Sequence, residues 1–235
     1  MNSLSSDVRL PLYQRLRDHL VEQIASSRWR PGEAIPTEAV LSTEYQLSTG
    51  TVRKAMDTLV NEGILERQQG RGTFVRRPRF QASLFRFFRF PGPSVPDSCI
   101  VSVEPMPAPP AVAGALGLEE GATVIRILRV RLPVLAEELW LPHARFHALL
   151  DLDLKGQGPL LYPIYEATCG QVVASAEETL SAELVCDVHA GLLQLPAGSP
   201  VVVIERLARD YSGQPLEWRR ACGHAGHFHY RIEIR

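Results

Sequence analysis

Apolar residues in the first third of the chain recur at helical spacing. Val52, Ala55, Met56, Leu59 and Val60 follow the i, i+3, i+4, i+7, i+8 pattern of one buried stripe. Ser48 stands where an N-cap oxygen is needed, and Gly63 stands where the helix must close. Upstream, Leu12, Leu16, Leu20 and Ile24, flanked by Tyr13 and Val21, predict a helix over residues 10–26. Residues 37–45 predict a shorter one, capped by Thr37 behind Pro36, with Val40 and Leu41 turned inward. Trp29-Arg30-Pro31-Gly32-Glu33 reads as the turn between them. Past Gly63 the period shortens. Ile64–Arg67 and Thr73–Val75 read as two strands around Gln68–Gly72, whose glycines tolerate positive φ and a close backbone approach. Three helices followed by such a hairpin make a winged helix-turn-helix.

The rest of the chain contains an internal echo. Residues 116–131 and 193–208 match at an offset of 77: Leu116 with Leu193, Leu118 with Leu195, Gly121 with Gly198, Val124 with Val201, Ile127 with Ile204 and Arg129 with Arg206. Each copy predicts the end of a short helix, a glycine turn and a long strand rich in β-branched residues. A return strand follows each, carrying Glu137-Glu138 in the first and Glu217 in the second. Two helix–hairpin units pack naturally as one antiparallel sheet with helices against it, hence α+β. Residues 160–170 form a further helix candidate, and 172–185 read as a strand running into a turn. Arg77-Pro78-Arg79-Phe80 reads as a linker, and the aromatic stretch 82–90 as a strand leading into a loop at 91–97. The organisation predicted is a first domain over 8–77, a linker over 78–83 and a second domain over 84–235.

Charge adds little by itself. Of the 235 residues, 1–78 hold 11 Lys/Arg against 9 Asp/Glu, and the remainder 14 against 17. No apolar run approaches the ~20 residues of a membrane span, and the N-terminus lacks a signal peptide's apolar core. These features predict a cytoplasmic, nucleoid-associated protein with no membrane partner. Cys99, Cys169, Cys186 and Cys222 lack CxxC spacing and read as reduced, structural thiols.

Chemistry enters through the third helix. Its buried stripe leaves Thr49, Gly50, Arg53 and Lys54 on the solvent side near the N-terminus, beside the basic, glycine-rich hairpin tip. Helix-turn-helix proteins read base edges with that end of the recognition helix, where free N–H groups also favour phosphate. The segments PLYQRLRDHL, PGEAIPTEAVLS, LSTGTVRKAM and LxxEGxLExxxGxGTFV resemble the GntR family of bacterial transcription regulators over residues 10–76. The resemblance implies DNA contacts from Ser48, Thr49, Gly50, Thr51 and Arg53, with Gln69 and Gly70 at the wing tip. Lys54, Arg71, Arg76 and Arg77 are left to supply phosphate affinity. Two arginines of the family pattern are replaced, by Ala39 and Thr49, which predicts an altered operator preference.

Residues 81–235 resemble the UTRA domain of the HutC subfamily, with a chorismate-lyase-like fold, through LGLEEGATVIRILRVR, EELWLP, LLYPIYE, GQPLEWRRA and FHYRIEIR. That likeness implies an effector site between the two repeats, on the inner face of the sheet. Arg129 and Arg131 share a strand face and could clamp a carboxylate or phosphate. Glu137, Tyr162, Glu217, Arg219 and Tyr230 complete the candidate set. The same spacing also allows plain cross-strand ion pairs of Arg129 and Arg131 with Glu137, Glu138 or Glu205. Leu160 replaces the serine common in members that sense phosphorylated sugars, which shifts the expectation toward an organic acid or another small catabolite.

Together these features predict a homodimeric, ligand-responsive regulator, a repressor by preference. It takes double-stranded operator DNA of palindromic sequence and a small anionic metabolite, and needs no cofactor, catalytic residue or metal. Three rivals stand beside it. Cys222, His224, His227 and His229 offer zinc-type ligands but match no known spacing. A lyase-like fold could retain chemistry, though no nucleophile elbow or carboxylate dyad is evident. An architectural DNA-binding dimer would have no ligand at all, and a thermal-shift screen of metabolites separates it from a sensor.

Overall fold

The computed structural model describes residues 9–78, 98–131, 134–156 and 159–229. The chain divides into two compact units, the first ending at Pro78. The linker expected at 78–83, apart from Pro78, the aromatic strand and loop at 82–97, and Tyr230 lie outside the described residues.

The first unit is three helices and a hairpin: α1 (Leu12–Ala25), α2 (Glu38–Tyr45), α3 (Thr49–Asn61), β1 (Leu65–Gln68) and β2 (Gly72–Val75). Thr37 Oγ1 caps α2 by accepting from Val40 N, and Ser48 Oγ caps α3 by accepting from Thr51 N. Each cap satisfies a donor that the first turn leaves open, at about 1 kcal/mol. Leu16, Leu20, Ile24, Leu41, Val52, Ala55, Met56 and Leu59 close one core under the helices. Two apolar positions do not join it. Val40 is 52% exposed and Leu12 is 47% exposed, against the inward placement their spacing predicted. Neighbours Leu41 and Leu16 already fill the core, and His19 and Tyr45, ring against ring, occupy the remaining space.

The second unit is built on a six-stranded antiparallel sheet. In chain order it runs β3 (Cys99–Pro107), α4 (Pro110–Leu116), β4 (Thr123–Arg131), β5 (Leu135–Pro142) and α5 (His143–Phe146). Then come α6 (Tyr162–Cys169), β6 (Ser175–Leu184), α7 (Asp187–Leu193), β7 (Pro200–Arg209) and β8 (Pro215–His224). Strand order is β3-β4-β5-β8-β7-β6, so the two repeat hairpins meet at β5 and β8, with Trp140 opposite Trp218. Strand β3 is not foreshadowed by the echo, because its sequence is broken by prolines and a register shift between Ile100 and Ser102.

The repeat governs backbone as well as pairing. Gly121 and Gly198, equivalent by the echo, both turn with positive φ, 79° and 73°. One step earlier the copies differ. Gly117 ends α4 at φ 64°, while its equivalent Gln194 ends α7 at φ 54°. A side chain in that left-handed region is strained, so the second copy adopts the same turn at a cost.

Helices cover both sheet faces. Phe146, Leu161, Ile164 and Tyr165 from α5, α6 and the turn before α6 pack on Ile125, Ile127, Leu139 and Leu141. On the opposite face, Val112 and Leu116 of α4 meet Trp140, while Ala190 and Leu193 of α7 meet Ala136, Val201 and Val203. Helix α7 of the second repeat therefore rests partly on β5 of the first, which ties the two copies into one core.

Candidate DNA-binding surface and effector site

In the first unit, the free end of α3 presents a compact polar surface. Ser48, Thr49, Gly50, Arg53 and Lys54 are exposed and Thr51 is half-buried; Gln69, Gly70 and Arg71 are exposed at the wing tip. The buried stripe of α3 forces this outcome, since four core residues on one side leave the other to water. Gly70, at φ 72°, has nothing within 4 Å of where a Cβ would stand, so the tip is open to a close approach. Beside the start of α3 lies a cleft of about 410 Å³ lined by Leu12, Tyr13, Ser48, Gly50, Thr51 and Lys54. Lys54 Nζ sits 4.0 Å from the centre of the Tyr13 ring.

Periodicity did not single out three residues of this surface. Tyr13 and Leu12 were assigned to the packing face of α1. Glu38, in the first turn of α2, carries no signal of its own in the sequence, yet Arg53 Nε donates to Glu38 Oε2 at 2.9 Å. Arg67 reaches both Glu38 and Asp57, at 3.3 and 2.6 Å. Arg53 remains 65% exposed along its side chain, so this pair is worth roughly 0.2–1 kcal/mol. A bidentate base contact at about 1–3 kcal/mol outweighs it, so Glu38 orients Arg53 without withholding it from a nucleic acid.

The second unit holds a different electrostatic object. Strand alternation places Arg129 and Arg131 of β4, Glu137 of β5, Glu217 and Arg219 of β8 and Arg206 of β7 on one face of the sheet. All six are buried. Glu137 opposes Arg129 directly in the register. Its Oε2 accepts from Arg129 Nε at 2.8 Å and from Arg131 Nε at 3.0 Å, and its Oε1 from Arg219 Nη1 at 3.4 Å. Glu217 accepts from Arg219 Nε at 3.0 Å, from Tyr162 OH at 3.2 Å and from Tyr165 OH at 2.8 Å. Arg206 pairs with Glu178 of β6 and also donates to Tyr162 OH at 3.4 Å. The main chain takes part as well. The Pro159 carbonyl accepts from Arg129 Nη1 at 3.3 Å and Arg131 Nη2 at 2.8 Å.

Glu138 and Glu205, the other carboxylates the spacing allowed for the arginine pair, lie on the opposite face. Glu138 bonds Arg126, and Glu205 lies 3.8 Å from Arg220. The cross-strand pairing of Arg129 and Arg131 is thus with Glu137 alone among the three.

Burial and mutual charge set the protonation of this cluster. Burial by itself would raise Glu137, but Arg129, Arg219 and Arg131 outweigh it and hold the carboxyl well below the usual range. Burial brings Arg131 down to about 10, with Glu137 opposing that shift, so it stays cationic at neutral pH. Burial tends to lower Arg219 too, yet Glu217 beside it carries it above the ordinary guanidinium value. Burial and Glu217 push Tyr162 up to about 12 and also hold Tyr165 well above the ordinary phenol value, so both phenols remain donors. Among the described residues, four guanidiniums (Arg129, Arg131, Arg206, Arg219) face three carboxylates (Glu137, Glu178, Glu217) in a desolvated place, where removing one partner of such a set is costly.

The structure brings Arg129, Arg131, Glu137, Tyr162, Glu217 and Arg219 together. It adds Arg206, Tyr165, Glu178 and the Pro159 carbonyl, which were not on the sequence-derived set. The echo pointed to Arg206 as the equivalent of Arg129, and Tyr165 lies three residues from Tyr162 on α6. Nothing in the sequence marks a proline carbonyl as a ligand.

Comparison with known proteins completes the site's context. Residues 12–75 match the model for bacterial regulatory proteins of the gntR family, and residues 94–229 match the UTRA domain. The chain is 30% identical to the mannosyl-D-glycerate transport/metabolism system repressor MngR of Escherichia coli, over 89% of this chain and 90% of that one. It is 30% identical to the histidine utilization repressor of Pseudomonas aeruginosa, over 97% and 92% respectively. Among solved structures, the ligand-binding domain of a GntR-family transcriptional regulator from Bordetella bronchiseptica matches with TM-score 0.55 and 32% identity, covering 64% of this chain and 99% of that one. PhnF from Mycobacterium smegmatis shares the fold over 96% of this chain and 99% of its own, at TM-score 0.52 and 22% identity.

Proposed function

Since the chain belongs to the gntR family of bacterial regulatory proteins and carries a UTRA domain, we propose that it is a homodimeric repressor released from a palindromic operator by a small anionic metabolite. Membership makes it a DNA-binding transcription regulator rather than an enzyme. The finer reading rests on one observation above all. Among the described residues, the buried face of the sheet gathers four guanidiniums and three carboxylates, with Arg129 and Arg131 side by side on one strand, which favours an anionic ligand over a cationic one. Two full-length relatives are named for mannosyl-D-glycerate and for histidine, compounds that each carry a carboxylate.

In this reading the α3 surface and wing tip, Ser48 to Lys54 and Gln69 to Arg71, contact the duplex. A two-fold protein on a two-fold operator implies half-sites about one helical turn apart. Arg129 and Arg131 turn their donors from the Pro159 carbonyl to an effector oxygen, and Glu137 and Glu217 accept from the effector's hydroxyl or amino groups. The effector acts only to the extent that it binds the DNA-free arrangement more tightly than the DNA-bound one. Linkage then requires operator DNA to weaken effector binding by the same factor.

The test pairs DNA captured by the full-length protein with a panel of carboxylate and phosphate metabolites added to the captured complex. Release by a carboxylate in the native protein, and its loss in Arg129→Ala with operator affinity retained, is the expected pattern. Full release of Arg129→Ala by the same compound would remove the arginine pair from the site. Capture of no defined DNA sequence would remove the operator reading.

A further inference from the structure

The first two turns of α3 offer a duplex different chemistry. Arg53 and Lys54, the cations of the second turn, are drawn to opposite flanks. Arg53 Nε donates to Glu38 Oε2 of α2 at 2.9 Å, and Lys54 Nζ lies 4.0 Å from the centre of the Tyr13 ring of α1. One turn earlier the same face carries Thr49 in line with Arg53 and Gly50 in line with Lys54, since residues four apart stack along a helix. Both Thr49 and Gly50 are exposed. Between the two flanks, the leading end of the helix therefore presents one β-branched side chain and one bare Cα. Around the place where a Cβ on Gly50 would stand, chain neighbours and helix backbone aside, the nearest atom is Ser48 Oγ, at 3.9 Å. A flat group can come up against the backbone there. Gly50 also lines the cleft that contains Leu12 and Tyr13, so carbon borders that approach on the α1 side. The hydroxyls beside it are turned on each other: Ser48 Oγ and Thr51 Oγ1 lie 2.9 Å apart, and Ser48 Oγ also accepts from Thr51 N.

Each base pair shows the major groove a distinct edge. Guanine and adenine are read by two-pronged hydrogen bonds from Arg, Lys, Asn or Gln, and cytosine by a carboxylate. Thr49 and Gly50 can form none of these. The one hydroxyl between them makes a single bond that does not choose among bases. Thymine alone adds a methyl group, which a threonine methyl can cover. We propose that Thr49 and Gly50 read a thymine in each operator half-site through its 5-methyl group, beside the base pair that Arg53 contacts. The assignment rests on the α3 surface as the duplex contact, and adds to that reading the base and the group recognised. Covering one methyl changes affinity about fourfold, so two half-sites together give about fifteenfold.

The test uses the full-length protein and a duplex carrying the sequence it captures from a random pool. Deoxyuridine replaces thymidine at one symmetric pair of positions at a time, which deletes the 5-methyl group and keeps every hydrogen-bonding atom of the base. At one such pair the native protein should bind about fifteenfold more weakly in a gel shift. Thr49→Val keeps a methyl and loses the hydroxyl, and should show the same thymine-to-uracil ratio. Thr49→Ser keeps the hydroxyl and loses the methyl, and should bring that ratio close to one. Indifference of the native protein to uracil at every position overturns the thymine reading and leaves the operator standing. A ratio that survives in Thr49→Ser, or collapses in Thr49→Val, takes the methyl contact away from Thr49 and overturns the assignment. Capture of no defined sequence removes the α3 reading beneath it.

Discussion

The molecule carries two groups of arginines paired with carboxylates, and they behave as opposites. In the first unit Arg53 and Arg67 meet Glu38 at the surface, with Arg53 65% exposed. In the second, Arg129, Arg131 and Arg219 meet Glu137 and Glu217 with side chains 5% exposed or less. Water makes the first group exchangeable, since each pair is weak and screened by salt. Its absence makes the second group obligatory, since an unpaired charge there has nowhere to go. The same pairing chemistry is therefore exchangeable at the surface and fixed in the buried cluster.

The largest expected effect comes from removing the hub of the buried group. Glu137→Ala leaves three guanidiniums converging without their shared acceptor, and should cost the second unit about 3–5 kcal/mol, read by denaturant unfolding. Arg129→Ala, which leaves Glu137 paired with Arg131 and Arg219, should cost distinctly less. Equal losses would show that charge balance does not govern the cluster. Next comes the surface group. Arg53→Ala should weaken operator binding roughly 10- to 100-fold in a gel shift while leaving thermal stability within about 0.5 kcal/mol. Raising salt should weaken operator binding of the native protein steeply and leave the unfolding of the second unit nearly unaffected.

A smaller effect separates burial from pairing on the other sheet face. His189 is buried with Nε2 lacking a hydrogen-bond partner, 3.8 Å from Glu138. Burial lowers its pKa, Glu138 opposes, and Arg220 and Arg126 add to the lowering. The unfolded chain therefore takes up a proton more readily than the folded one. Stability is full above the ordinary histidine value of about 6.5 and falls as pH drops through and below it. His189→Gln should flatten that slope in thermal melts between about pH 7 and 5. The smallest effect is at the helix end where the repeats differ. Gln194→Gly should stabilise the second unit by about 1 kcal/mol, because its equivalent Gly117 makes the same left-handed turn without a side chain. No gain would mean that Gln194 contributes contacts offsetting the strain.

How much of this was readable beforehand differs between the two halves. In the first unit the period of Val52, Ala55, Met56 and Leu59, the caps at Thr37 and Ser48 and the glycine at 63 fix the helices locally, and the structure has them within two residues. Misplacement befell residues whose fate is set by neighbours, as with Val40 and Leu12. In the second unit the echo exposed both helix–hairpins and aligned Arg206 with Arg129, but it did not place Arg206 in the candidate set. It missed β3, whose prolines hide a strand at the sheet's edge.

Pattern and spacing alone determined the winged helix, the repeated helix–hairpin and the sharing of one strand face by Arg129 and Arg131. These follow from interactions within a few residues, where 3.6- and 2-residue periods dictate which side chains share a face. The meeting of Arg129, Arg131, Arg206 and Arg219 around Glu137 and Glu217, and the recruitment of Tyr165 and the Pro159 carbonyl, were decided by the order β4-β5-β8-β7 and the seat of α6. Strand order is a contest among long-range pairings that local sequence does not encode, and the cluster exists only once that contest is settled.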